Sequence, residues 1–372
     1  MWSLARNRLR AGAGESNDDD PSRVSSFKSV TITQVAEAAG VSIRTVSRVL
    51  NDSPKVAAEV RERIKATIET LGFRPSSRAR ALAFGRSSLI GVIQDDPNAH
   101  VIGVLQRGIV EVCAAKGYEL VVHPAKFGHP ELMPSIEDFA RRSRIDGLIV
   151  LPPISEASSI PMALSQLGVP TVGIASVRVP GYPAALVSCE RDATALLADH
   201  LVALGHRRIA IVTGPMRFRS AAERLIGFQS ALSAHGVVLP AEYIREGDYG
   251  FASGLNAGGA LLGLRDPPTA VFAGNDIMAA GVMKAANQAG VAVPARLSVV
   301  GFDDSDIAGM VTPALSTIRR PLAEMARSAT LRLLRMIGGA DVAVDDERID
   351  LHLIERESIA PPFHLQDQAA AE

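Results

Sequence analysis

Residues 31–51 read Thr-Ile-Thr-Gln-Val-Ala-Glu-Ala-Ala-Gly-Val-Ser-Ile-Arg-Thr-Val-Ser-Arg-Val-Leu-Asn, and this order leaves the backbone little choice. Thr31 followed by Gln34 is a capping-box pattern that starts a helix. Val35 with Ala38 and Ala39 supplies a small apolar face at helical spacing. Gly40 ends the helix, at a position that favours a left-handed backbone. Ser42 then caps a second helix. Val46, Val49 and Leu50 stand at i, i+3 and i+4, so they share an inward face. Arg44, Ser47, Arg48 and Asn51 lie elsewhere around that helix, free to meet phosphates or base edges. Two short helices joined at a glycine, the second with a polar outer side, match a helix-turn-helix that places one helix in the DNA major groove. An ordinary helical hairpin is the alternative.

The distribution of charge supports the DNA reading. The 372 residues sum to −1, yet residues 28–90 hold eleven Lys or Arg against five acids, for +6. Residues 1–27 balance to zero, which leaves −7 on residues 91–372. A basic head on an acidic body suits phosphate binding at one end. Residues 1–27 carry Arg6, Arg8 and Arg10, then Asp18-Asp19-Asp20, and lack the apolar core of a signal peptide. They read as a disordered tail or as a start set too far upstream. The cysteines are Cys113 and Cys189, too few for a disulfide framework, which fits a reducing cytoplasm. No apolar run reaches transmembrane length.

After residue 87 the pattern changes. Short apolar runs recur at Leu89–Ile93, Glu119–Val122, Gly147–Leu151, Thr171–Ile174, Ile209–Thr213, Ala270–Ala273 and Ser298–Phe302. Helical stretches separate them. That alternation predicts parallel sheets covered by helices on both faces. The length from 88 to 360 exceeds one such sheet, so two α/β lobes are expected, with a ligand cleft at the carboxyl ends of their strands.

Residues 31–51 resemble the LacI/GalR family of transcriptional regulators, and the resemblance runs on through Ser53-Pro54-Lys55-Val56 and Leu71-Gly72-Phe73-Arg74-Pro75. It resumes at Leu204-Gly205-His206-Arg207-Arg208-Ile209-Ala210, Glu223-Arg224-Leu225-Ile226-Gly227-Phe228, Gly274-Asn275-Asp276 and Ser298-Val299-Val300-Gly301-Phe302-Asp303-Asp304. It implies an α/β fold in which an all-helical DNA-binding domain, 29–74, precedes a two-lobed periplasmic-binding-protein-like sensor, 88–360. A hinge over 75–87 joins them, with a disordered extension over 1–28 and a tail over 361–372.

The resemblance also implies site residues. Thr31, Ser42, Ile43, Arg44, Thr45, Ser47, Arg48 and Asn51 would face DNA, with Ile43 and Arg44 at the two specificity positions. Ile43 offers apolar contact, for instance to a thymine methyl, and Arg44 reaches O6 and N7 of a guanine. In the hinge, Leu82 matches a leucine that wedges into a minor-groove step, beside the small residue Ala79; a plain linker is the alternative. In the sensor, Ser220, Arg224, Tyr249, Asn275 and Asp303 match residues that hold a sugar. An Arg fork, hydroxyl, amide and carboxylate suit ring hydroxyls, and an aromatic suits the C–H face. Each has a plainer reading: Arg224 as an ion-pair partner, Asp303 as a helix cap, Asn275 as the holder of a turn.

Two departures stand out. Ala57-Ala58 precede the third helix where the family offers Ser or Thr, a lost cap that costs about 1 kcal/mol. Glu59 offsets part of it through the helix dipole. Gln94-Asp95-Asp96-Pro97-Asn98-Ala99-His100 replaces an aromatic pair at the first lobe, so that wall is expected to be more polar or more open, with Asp95, Asn98 and His100 toward the ligand.

The expected function is a cytoplasmic, ligand-responsive repressor of carbohydrate uptake or catabolism genes. It binds a pseudo-palindromic operator as a dimer and needs no cofactor, metal or membrane. A transport protein would want an export signal and no DNA head. An enzyme would want a catalytic set, and neither a Ser-His-Asp order nor metal spacing is visible. Activation in place of repression stays open.

Overall fold

The computed structural model describes residues 30–50, 53–73, 86–95, 99–339 and 346–363. The chain divides into two compact units between Ser76 and Ser77.

The first unit is three helices: α1 (Ile32–Ala39), α2 (Ile43–Leu50) and α3 (Ala58–Leu71). The capping box at α1 is formed on both sides. The Gln34 N–H donates to Thr31 Oγ1 at 3.4 Å and the Thr31 N–H donates to Gln34 Oε1 at 2.8 Å. Gly40 takes φ +63° and closes α1 through its N–H to Ala36 and Glu37. The core is Val35, Ala36, Ala39, Val46, Val49, Ile64 and Phe73. Ala38 is exposed and Ala36 is buried in its place, because the face that meets α2 and α3 falls at i, i+1 and i+4. Ile64 is fully buried and contributes about 2 kcal/mol of transfer free energy to this small core. Ala57 gives α3 no side-chain cap, and Glu59 stands in the first turn.

The second unit has two lobes, each a six-stranded sheet. Lobe 1 holds β1 (Leu89–Gln94), β2 (Glu119–Pro124), β3 (Gly147–Val150), β4 (Thr171–Ala175), β5 (Ala184–Ser188) and, from far along the chain, β11 (Glu347–Ile349). Its strand order is β11-β5-β4-β3-β1-β2, all parallel. Lobe 2 holds β6 (Ile209–Thr213), β7 (Ile244–Glu246), β8 (Ala270–Ala273), β9 (Ser298–Asp303), β10 (Ser316–Arg319) and β12 (His352–Ile354). Its order is β12-β10-β9-β8-β6-β7, parallel except that β12 runs antiparallel to β10.

Nine helices among the described residues cover the sheets: α4 (Ala99–Lys116), α5 (Leu132–Ser143), α6 (Ile160–Ser165), α7 (Glu190–Ala203), α8 (Arg219–Ala234), α9 (Phe251–Leu262), α10 (Asp276–Gln288), α11 (Asp306–Met310) and α12 (Leu322–Ile337). Strand periodicity decides which side chain goes to which face. In lobe 1, Val172 and Ile174 join the core under α4 and α12, whereas Leu148 and Val150 join the core under α5 and α6. Both faces are covered, so the strands read as continuous apolar runs rather than alternating ones.

The chain passes between the lobes three times: from β5 into α7, from β10 into α12, and from β11 into β12. The first two passages place Glu190 and Arg320 at the junction.

Candidate DNA-reading face and ligand cleft

Helix α2 buries Val46 and Val49 and turns its other sides outward. Ile43 is 47 % exposed although it is a large aliphatic, and Arg44 is exposed beside it. Ser47 and Arg48 are half-buried. Ser42 acts as the N-cap: its Oγ accepts the Thr45 N–H at 3.2 Å and lies 2.9 Å from Thr45 Oγ1. Thr31 is exposed and holds the capping box of α1. The face thus presents one aliphatic and one guanidinium at the start of a helix, flanked by hydroxyls. That chemistry reads base edges and phosphates. Asn51, Ala79, Leu82 and Asn98 lie outside the described residues.

The cleft of the second unit is built from the ends of several elements. Ser220 and Arg224 come from α8, and Phe218 stands at its N-cap. Tyr249 precedes α9, Asp303 ends β9, and Arg320 follows β10. A buried ion network joins four of the charges here. Arg224 Nε donates to Glu190 Oε2 at 2.7 Å, Arg320 Nη1 to Glu190 Oε1 at 3.2 Å, and Arg320 Nη2 to Asp303 Oδ1 at 2.8 Å. Ser188 Oγ adds a hydrogen bond to Glu190 Oε1 at 3.0 Å, and Arg224 Nη1 donates to the Gly274 carbonyl. The Arg224 guanidinium sits 3.6 Å from the Phe302 ring centroid, so it is both stacked and paired.

Burial resists the charge on Glu190, but Arg224 and Arg320 override it and hold this carboxyl below the usual range. Asp276, at the start of α10, goes the other way. Burial first and the charge of Asp303 second push it up to about 7, against hydrogen bonds from Thr317 and Ser305. Burial likewise raises the Tyr249 phenol.

The backbone is strained where these side chains enter. Tyr249 has φ +68°, Asp303 φ +108° and Asp304 φ +54°. Each such conformation costs on the order of 1–3 kcal/mol in a non-glycine residue and needs support from its surroundings. Asn275 Nδ2 holds the Tyr249 carbonyl at 3.0 Å, and Arg319 and Arg356 hold the Asp304 carboxylate at 2.6 Å each. Gly214 makes room for the Tyr249 ring, since a Cβ there would stand 2.1 Å from Cζ.

Ser220, Arg224, Tyr249 and Asp303 therefore converge on one cleft. Asn275 does not line it. It is 1 % exposed, caps α10 through Oδ1 to the Met278 N–H at 2.9 Å, and holds Tyr249, which is the turn-holding role its sequence allowed. Asp95 also turns away: its Oδ2 accepts the Phe127 N–H at 2.8 Å and it lines a separate shallow hollow with Lys126 and His129. His100 is not among the lining residues. Among the described residues the lobe 1 wall is largely apolar, with Val101, Ile102 and Leu105 of α4 on it. An aromatic contribution comes instead from Phe218, which stacks on Tyr249 at 6.4 Å and meets Phe127 edge-on at 5.8 Å. Glu190 and Arg320 are the residues that sequence reasoning missed. Their partners lie 34 and 130 positions away, and no local pattern marks them.

A helix-turn-helix unit carried in one chain with a two-lobed, clefted sensor defines a ligand-responsive DNA-binding transcriptional regulator. Two family models agree: bacterial regulatory proteins of the lacI family over residues 31–76, and the periplasmic binding protein-like domain over 198–359. The chain is 32 % identical over 337 residues to the lactose operon repressor of Escherichia coli (strain K12), covering 90 % of this chain and 92 % of that one. It is 31 % identical over 345 residues to the HTH-type transcriptional repressor PurR of Klebsiella pneumoniae (strain 342), covering 90 % and 98 %. Among solved structures, the lac repressor dimer bound to operator and the anti-inducer ONPF superposes with a TM-score of 0.75 at 31 % identity, over 90 % of this chain and all of that one. The chain belongs to the lacI family of bacterial regulatory proteins. No helix among the described residues is long and apolar enough to cross a membrane.

Proposed function

We propose that this regulator is a repressor of carbohydrate uptake or catabolism genes, acting in the cytoplasm without enzymatic activity. A dimer binds a pseudo-palindromic operator through a head over 29–74. A hinge over 75–87 transmits the state of a sensor over 88–360. Ile43 and Arg44 select the half-site, Ser42, Thr45, Ser47, Arg48 and Asn51 support the contact, and Ala79 and Leu82 are assigned to the minor groove on the sequence grounds given above.

The carrying observation is the convergence of Ser220, Arg224, Tyr249 and Asp303 on one cleft between the lobes. Each guanidinium there already has a carboxylate, Glu190 for Arg224 and Asp303 for Arg320, so the site adds no net charge for an anion. It offers hydrogen bonds in both directions, which suits neutral hydroxyls. The test has two stages. Selection from a random duplex library should return a two-fold symmetric site, as two identical heads require. Sugars, sugar acids and purine bases are then screened by thermal shift, and any that stabilise the protein are titrated against that duplex. A neutral sugar that raises Tm and changes operator affinity is the expected result. Stabilisation by purine bases or anions alone would overturn the assignment of ligand class.

A further inference from the structure

Lobe 1 receives the chain at one end of its sheet. Strands β1, β2 and β3 are parallel, so their first residues share that end with the last turns of α4, α5 and α12. Hydrogen bonds fix the arrangement. The Glu119 N–H donates to the Ser88 carbonyl at 2.9 Å, and the Asp146 N–H to the Leu89 carbonyl at 2.8 Å. The Asp146 carboxylate accepts the N–H groups of Ser87 and Ser88 at 2.9 and 2.8 Å. Arg86 Nη2 donates to the Ile337 carbonyl at the end of α12.

Six exposed cations gather here: Arg86, Lys116 in the last turn of α4, Arg141, Arg142 and Arg144 at the end of α5, and Arg335 in the last turn of α12. The acids beside them are fewer and mostly engaged. Asp146 holds the serines, and Glu137 and Asp138 pair with Arg141 and Arg142 at 3.6 and 2.8 Å in exposed contacts that yield readily to a stronger anion. Glu119 adds one more exposed carboxylate. Lys116, Arg144 and Arg335 have no side-chain partner among the described residues. Residues 91–372 sum to −7, so this basic end runs against the charge of the body that carries it. The dipoles of α4 and α12 favour Lys116 and Arg335 at their carboxyl ends. They do not account for Arg144, which takes φ +47° in a left-handed turn that α4, α7, α8 and α10 make with Gly117, Gly205, Gly236 and Gly290. Glycine is the easier residue at such a position.

We propose that this end of lobe 1 is a second DNA-contacting surface, which binds phosphates of the duplex flanking the operator half-site. Residues 74–85 alone separate Arg86 from Phe73, the last described residue of the head, and they span at most about 45 Å. The duplex rises about 3.4 Å per base pair, so a flank of about a dozen base pairs lies within that tether. Contacts of this kind add affinity without reading sequence. The inference rests on the DNA-binding reading above and adds a contact that the head does not make.

The test uses the full chain and the duplex returned by the selection above, as a bare core and with unrelated flanks of about 6, 12 and 24 base pairs on each side. Binding is read by fluorescence anisotropy over a salt series. In the wild type, flanks of about 12 base pairs should tighten binding at least about threefold at low salt and steepen the slope of log K against log salt by about 0.9 per added phosphate. Arg144→Gly combined with Arg335→Gln should remove most of that gain and leave affinity for the bare core unchanged. Arg144→Lys keeps the charge and should keep the gain. Glycine suits the backbone at Arg144, and equal binding of the bare core shows that the double variant is folded. Equal affinity of the wild type for bare and flanked duplexes would overturn the proposal and leave the operator reading standing. A flank gain that survives in the double variant would overturn this surface as its source. Capture of polyglutamate by the wild type but not by the double variant, with no flank gain, would overturn DNA as the partner and give the surface to an acidic protein. A selection that returns no duplex would overturn the operator reading and this proposal together.

Discussion

Replacing Glu190 with glutamine removes a charge that two buried guanidiniums share. Glu190 is fully buried, the Arg224 side chain is 6 % exposed and the Arg320 side chain 9 %. Arg320 keeps Asp303 at 2.8 Å, but Arg224 loses its nearest carboxylate. A buried pair broken on one side typically costs 3–5 kcal/mol, because the stranded charge stays desolvated. About 3–5 kcal/mol is therefore expected for Glu190→Gln in urea unfolding of the sensor unit followed by far-UV circular dichroism. Arg224→Met should cost less, about 1.5–3 kcal/mol, since Glu190 loses one guanidinium but keeps Arg320 at 3.2 Å and the Ser188 hydroxyl at 3.0 Å. The double variant strands neither, so its loss should fall short of the sum by at least about 2 kcal/mol. The effect also depends on pH. The Glu190 pKa is held below its unfolded value of 4.5, so its stabilising contribution is present above that pH and is lost as the pH falls through the lower folded value. The wild type's advantage over Glu190→Gln should accordingly shrink on acidification below pH 4.5. A single variant within about 1 kcal/mol of wild type, or strict additivity in the double, would refute the reasoning. The same network makes Arg224→Ala a poor probe of ligand binding alone, since it unbalances the lobe before any ligand arrives.

Asp276 predicts an opposite slope at milder pH. With a folded pKa raised to about 7 from 3.8, the folded state binds the extra proton between those values, so stability falls as pH rises through that window. Asp276→Asn should flatten the dependence, and an unchanged slope would show that the carboxyl ionises freely. On the DNA side, Arg48→Ala should weaken operator binding and lower the slope of log K against log salt by about 1 if Arg48 neutralises one phosphate; an unchanged slope would remove it from the interface.

Periodicity made much of the architecture legible, and its misses have physical causes. The seven apolar runs became β1–β4, β6, β8 and β9. Ala184–Ser188 forms β5 in the same sheet, but its two alanines give little β signal although every residue is buried. The strands Glu347–Ile349 and His352–Ile354 are three residues each and partly polar, and they pair only because the chain returns to lobes already built. In the cleft, residues matched by family position converged where hydrogen-bonding chemistry was expected, while Asn275 proved to hold a turn and Asp95 a loop. The apolar wall was illegible because it comes from the sides of α4 and α12, whose residues stand 220 positions apart and show only ordinary core spacing.

The place of the network in the chain gives it a meaning beyond stability. Glu190 opens α7 directly after the first passage between lobes, and Arg320 stands on the second. Their 3.2 Å contact ties two of the three connecting segments together at the point about which the lobes would turn. Asp303, one bond further along the network, lines the cleft from a strained backbone position. A ligand hydroxyl that accepts a hydrogen bond from Arg320 Nε, or donates one to the Asp303 carboxylate, therefore acts on the connection itself and not only on one wall. Ligands shift such an equilibrium only by the difference between their affinities for its two states. Effectors in this scheme act only where their contacts differ between lobe arrangements, and the Arg320–Asp303 pair, which joins a connecting segment to the lobe 2 wall, is where such a difference arises.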